Sequence, residues 1–202
     1  MDLDFIHYFE LLIAVLAIVY YKKYTSSFYK YFILYTCCAF LVEFIAEVFL
    51  KGTNNWWLYN LYTFVEFNLV ALIYYHLTKE KKSHRIIFYI VLLFNITYLI
   101  SFIFIALQNY TPILLGVLVS VFIFLYLKEL LNSNKIVNFR KDISFWITIG
   151  FLIYYLATIP FFTLLFVVGM KDRILFYILQ GILVITHLIF IVGLLCSKKT
   201  VK

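Results

Sequence analysis

Seven long apolar runs separated by short charged stretches decide what this chain can fold into. A helix needs about 20 mostly apolar residues to cross about 30 Å of hydrocarbon. The runs at 5–21, 28–50, 56–77, 86–107, 111–130, 143–168 and 174–196 are of that order. Within a bilayer every backbone N–H and C=O must be satisfied by the protein itself, which leaves helices or closed barrels. Barrel strands would read as segments of about ten residues with alternating polarity, whereas these runs are continuous. The expectation is therefore an all-α polytopic membrane protein with seven transmembrane helices, one domain over residues 1–202, and no soluble domain. Composition excludes the alternative: 65% hydrophobic and 13% charged residues cannot cover a water-soluble surface, since soluble domains run near half apolar and a quarter charged.

Basic residues set the expected orientation, because Lys and Arg of short loops accumulate on the cytoplasmic side. Lys22, Lys23 and Lys30 flank the first connection; Lys79, Lys81, Lys82 and Arg85 fill the third; Lys128, Lys135, Arg140 and Lys141 occupy the fifth; Lys198, Lys199 and Lys202 end the chain. Only Lys51, Lys171 and Arg173 lie on the other side, so 14 of 17 basic residues predict the N-terminus outside and the C-terminus in the cytoplasm of a cell inner (plasma) membrane. The formal charge of +7 is a topology signal and an attraction to anionic lipid. Spread over four segments, it does not form the single basic stripe that nucleic acid would require, and no nucleic-acid partner is expected. The acidic start, with Asp2, Asp4 and Glu10, lacks the basic segment and cleavage site of a removable signal peptide, so the first run should remain in the protein. Pro160 predicts a kink or tilt in the sixth run.

Ionisable groups at hydrocarbon depth are costly and turn toward the bundle interior or a cavity. Glu10, Glu43, Glu47 and Glu66 lie inside the runs, whose only Lys or Arg residues are Lys30 and Lys128, near the basic ends of theirs. Glu43 and Glu47 share a face at i, i+4; Tyr59, Tyr62 and Glu66 form one stripe; Gln180 and His187 share another face; Asn95 is the polar residue in the middle of the fourth run. A bundle joining these faces would have an acidic polar pocket, built from Glu43, Glu47, Tyr59, Tyr62, Glu66, Asn95, Gln180 and His187 and open to the outside. Such carboxyl groups could carry a proton or bind a cation or ligand. They could equally act as hydrogen-bond partners between helices.

Catalysis has no visible apparatus. His-Glu-x-x-His, Gly-x-Ser-x-Gly and glycine-rich phosphate loops are all missing, as are the interior Asp and clustered His of a ceramidase-like zinc hydrolase. Cys37, Cys38 and Cys196 have no disulfide or metal spacing. The segment from Ile174 to Cys196 contains no lysine, which excludes retinal. No cofactor, metal or enzymatic activity is expected.

The stretch Asn55-Trp56-Trp57-Leu58-Tyr59-Asn60-Leu61-Tyr62-Thr63-Phe64-Val65-Glu66-Phe67 resembles the third-span signature of small seven-helix inner-membrane proteins of Bacteroidota-type bacteria, some encoded near sensor kinases. That resemblance implies a sensory or accessory role. The expected function is a receptor-like module with an outward-facing acidic pocket; the alternatives are a small transporter or channel coupled to protons or cations through embedded Glu, and then a membrane enzyme acting on lipid. Loops this short cannot fold a kinase, so cytoplasmic output would need a partner, with Lys79, Lys81, Lys82, Arg85, Arg140 and Lys141 as its expected docking surface.

Overall fold

In a computed structural model, residues 5–132, 141–170 and 172–198 are described; Arg140 and Lys135 lie outside them. Seven long helices follow one another: α1 (Phe5–Val19), α2 (Ser27–Val48), α3 (Trp56–Leu77), α4 (Lys81–Ile103), α5 (Thr111–Leu131), α6 (Ile143–Phe162) and α7 (Arg173–Cys196). No strand occurs among the described residues. Six of the helices are long and apolar enough to cross a membrane, and the chain is a multi-pass, membrane-embedded protein.

The exception is α3. Its 22 residues equal α2 in length, but Asn60, Glu66, Asn68 and four tyrosines dilute its apolar character. Its position accounts for that composition. α3 touches α2, α4 and α5 at once, so its polar side chains can face protein instead of lipid. Asn68 and Asn95 exchange side-chain amide bonds between α3 and α4, at 3.1 and 3.3 Å.

Contacts run α1 to α2 to α3 to α5 to α6 to α7 and back to α1. These six helices form a closed ring, and α4 lies outside it in the groove between α3 and α5. The outer surface is apolar. On α4 alone Phe88, Tyr89, Leu92, Leu93, Ile96, Leu99, Ile100 and Ile103 are exposed, a patch that in water would drive association but in a bilayer meets lipid tails.

One half of the ring is filled by aromatic rings. Phe67 stacks on Phe94 at 3.8 Å, and Phe151 meets Tyr35 and Phe190 edge-on at 5.0 and 5.5 Å. Phe32, Phe67, Phe94, Phe122 and Phe151 are fully buried there. Two glycines let α6 and α7 approach closely. A Cβ on Gly193 would stand 2.5 Å from Trp146 Cβ, and one on Gly150 would stand 2.3 Å from the Phe190 ring.

The end of the bundle nearest these aromatics is laced together by loop residues. Lys23 Nζ donates to the Leu194 carbonyl at 3.1 Å and the Tyr24 hydroxyl donates to the same oxygen at 2.8 Å. A helix C-terminus leaves carbonyls without intrahelical partners, and the α1–α2 connection supplies them for α7. At the same end Glu129 of α5 accepts from the Lys79 backbone N–H at 2.7 Å and from the Ser83 hydroxyl at 2.5 Å. The exposed side chains of Lys79, Lys81, Lys82, Arg85 and Lys141 all belong to this end.

Burial pushes the Tyr24 phenol up to about 12, so it remains a donor well into alkaline conditions. The folded value lies above the unfolded one of about 10; the stability it contributes is present below pH 10 and is lost as pH rises toward 12. Tyr24→Phe is expected to lower unfolding free energy by about 1 kcal/mol at neutral pH. Between pH 10 and 12 the gap between wild type and variant should close. Denaturant titration across that window checks both statements.

Candidate functional site

The other half of the ring is hollow. A cavity of about 510 Å3 lies between α1, α2, α3, α5, α6 and α7, while α4 contributes nothing to its wall. That volume falls within the range of about 300–1,000 Å3 for small-molecule sites. Its inner end rests on Tyr35, Tyr155 and Phe190, which continue into the aromatic core. Its outer end is rimmed by Trp56, Phe166 and Phe176, and Trp56 meets Phe166 edge-on at 5.4 Å. Phe166 belongs to a π-helical turn, Thr163–Val168, that continues α6 just after Pro160. Proline removes a backbone donor and crowds the preceding turn, and a widened turn next to it accommodates that defect. This π-helical turn contributes Leu165 and Phe166 to one wall of the cavity.

Six of the eight residues expected in a pocket line this space: Glu43, Tyr59, Tyr62, Glu66, Gln180 and His187. Two sit elsewhere. Glu47 pairs with Lys51 in the turn just beyond the end of α2, because by that point the helix has reached the polar end of the bundle and the carboxylate turns outward. Asn95 is occupied by Asn68 on the far side of α3, since α4 lies outside the ring.

Two of the three cavity carboxyls are tied to a neighbouring helix. The Tyr59 hydroxyl donates to Glu43 Oε2 at 2.9 Å, bridging α3 to α2. The Tyr155 hydroxyl donates to Glu66 Oε1 at 2.8 Å, bridging α6 to α3 across the ring. These carboxyls thus serve as interhelical partners and as wall groups together. Nearer the mouth, the Asn60 amide donates to Gln108 at 2.8 Å.

The third carboxyl is different. Glu10 is 8% exposed, and its carboxyl lies 3.6 Å from His7 in an ion-pair contact one turn back on α1. Neither His7 Nδ1 nor Glu10 Oε2 makes a hydrogen bond, and the same holds for Thr186 Oγ1 and His187 Nδ1. All four of these residues line the cavity. Buried polar groups are nearly always hydrogen-bonded, so four buried atoms without a hydrogen bond on residues that line one hollow are an exception concentrated at this site.

Several of these residues escaped the sequence reading. His7 is not among the residues expected in a pocket, yet it lines the cavity together with His187. Tyr154 and Tyr155 fall in the middle of the sixth run, where interfacial anchoring does not account for a phenol. A mid-span Tyr needs a polar partner, and that was the available signal. Thr186 and Trp56 carried no signal apart from position. Among the described residues no three His, Cys, Asp or Glu side chains are grouped so as to hold a metal ion.

No protein-family model, curated protein or solved structure matches the chain.

Proposed function

We propose that this protein is a receptor-like module of the plasma membrane that binds a small ligand in its hollow half and passes the event to a cytoplasmic partner. The observation that carries this reading is the cavity itself: roomy, walled by six helices, and lined by four residues that each hold a buried polar atom without a hydrogen bond. All seven helices cross the membrane, α3 included, since 22 residues at about 1.5 Å each span the hydrocarbon. The N-terminus lies outside. Lys22, Lys23, Lys79, Lys81, Lys82, Arg85, Lys128, Lys141 and Lys198 gather at the end opposite the cavity mouth, as basic residues on the cytoplasmic side would. A ligand touching α1, α3, α6 and α7 together biases the relative placement of those helices, and a partner docked on the basic end reads the bias.

A second reading is a transporter that opens alternately to the two sides. It is favoured by Pro160 and the π-helical turn in the cavity wall, where a helix bends most readily. Solute movement into vesicles would belong to that reading.

Thiol accessibility tests the proposal. With Cys37, Cys38 and Cys196 replaced by Ala, Thr186→Cys places a thiol in the cavity at an atom that loses no hydrogen bond. Small membrane-impermeant methanethiosulfonates added to intact cells should modify it. Lys82→Cys should react only after the membrane is opened. Modification of Lys82→Cys alone in intact cells would overturn the orientation, and an inert Thr186→Cys would overturn the open cavity.

A further inference from the structure

The chemistry of the cavity wall selects among ligands by charge. Glu10, Glu43 and Glu66 line it, and no Lys or Arg does among the described residues. His7, the nearest imidazole to a carboxyl, is already opposed to Glu10. Between these groups the wall is aromatic: Tyr35, Tyr62, Tyr154, Phe161 and Phe190 inside, and Trp56 at the rim. We propose that the cavity binds a small organic amine, as the cation, with its ammonium among Glu10, Glu43 and Glu66 and its apolar body against the aromatic wall. This rests on the reading of the hollow half as a ligand site and names the class of that ligand.

Three physical points converge on that class. An ammonium brings the hydrogen-bond donors that Glu10 Oε2 and Thr186 Oγ1 lack, and each of its N–H groups can meet a different acceptor. Aromatic faces attract cations through the ring quadrupole, so the rings that bury the body of the ligand also favour its charge. A carboxylate or phosphate on the same ligand would enter a space without Lys or Arg, and an unpaired charge away from water is costly. Amino acids and phospholipid headgroups are thereby disfavoured, while monoamines on an aryl or alkyl body are favoured. A free amine and an amine-bearing lipid without phosphate share this chemistry.

The Thr186→Cys protein, purified in nanodiscs of phosphatidylcholine, supplies the test. Its rate of modification is measured with trimethylammonioethyl and sulfonatoethyl methanethiosulfonate, each relative to a free thiol in solution. An acid-lined cleft concentrates cations by about tenfold or more, so the cationic reagent should lead by at least that factor. Glu10→Gln combined with Glu66→Gln should collapse the ratio toward one. Phenethylamine and octylamine should slow modification in a saturable way, and phenylpropionate, octanoate and phenylethanol should not. Protection by phenethylamine indicates a free amine that fits within the cavity, and protection by octylamine or sphingosine alone indicates a lipid amine; either supports the class. Equal normalised rates for the two reagents, or no protection by any amine, overturn the class but leave an open cavity standing. Failure of both reagents to react removes the cavity as a site.

Discussion

Gly193→Ala is expected to destabilise the bundle by about 1–3 kcal/mol, in the range of overpacked cores, and to do so through a single methyl group. The added Cβ would lie 2.5 Å from Trp146 Cβ, an atom fixed to the α6 backbone. No rotamer change can relieve that contact, so α6 and α7 must separate at the end where Lys198 N–H donates to the Lys141 carbonyl at 2.9 Å. Small residues at helix crossings in membranes allow the backbone contact that stabilises association. Gly181 is the control, because a Cβ there meets nothing within 4 Å; Gly181→Ala should be neutral or stabilising, as helix propensity suggests. Gly150→Ala should fall between them. Its clash is with the Phe190 ring, which borders the cavity and can swing into it. Unfolding in mixed detergent micelles ranks the three, and equal losses for Gly181→Ala and Gly193→Ala would refute the crossing as the cause.

Replacing Glu66 by Leu should cost a further about 1–3 kcal/mol, because the Tyr155 hydroxyl, buried beside it, would lose its acceptor. Tyr155→Phe should cost a similar amount by leaving the carboxyl without its donor. The double variant should cost less than the sum, with a coupling of about 1 kcal/mol, since both unsatisfied groups are then gone. Glu10→Leu should behave in the opposite sense and leave stability unchanged or higher, because its buried Oε2 makes no hydrogen bond and the variant loses only the 3.6 Å contact with His7. The contrast separates a carboxyl that holds helices together from one kept at some cost to the fold, as groups at binding sites often are. A large loss on removing Glu10, or additive losses at Glu66 and Tyr155, would contradict the assigned roles.

Much of the bundle was legible because membrane insertion is decided by local chemistry. Span length, the apolar runs and the basic loops are properties of short segments, and the helices of the fold begin and end close to the expected limits, with α3 covering Trp56–Leu77. α4 differs most, beginning at Lys81 because its basic lead forms a helical turn before the apolar stretch. The polar stripes were also readable, since helical periodicity alone puts Tyr59, Tyr62 and Glu66 on one face and Gln180 and His187 on another.

The sequence by itself thus determined a multi-pass helical membrane protein and nominated most of its cavity carboxyls. Tertiary structure decided which of them share a space. Periodicity specifies a helix face but not the neighbour it meets, and that depends on the order of helices in the ring. With α4 displaced outside the ring, Asn95 closes onto Asn68; with α1 beside α7, His7 and Glu10 join Thr186 and His187 around one hollow. Phe32, Phe67, Phe94, Phe122 and Phe151 fill one half of the ring, whereas the half that brings Glu10, Glu43, Glu66, His7 and His187 together is left open, and that division depends on how the side chains of six helices fit together.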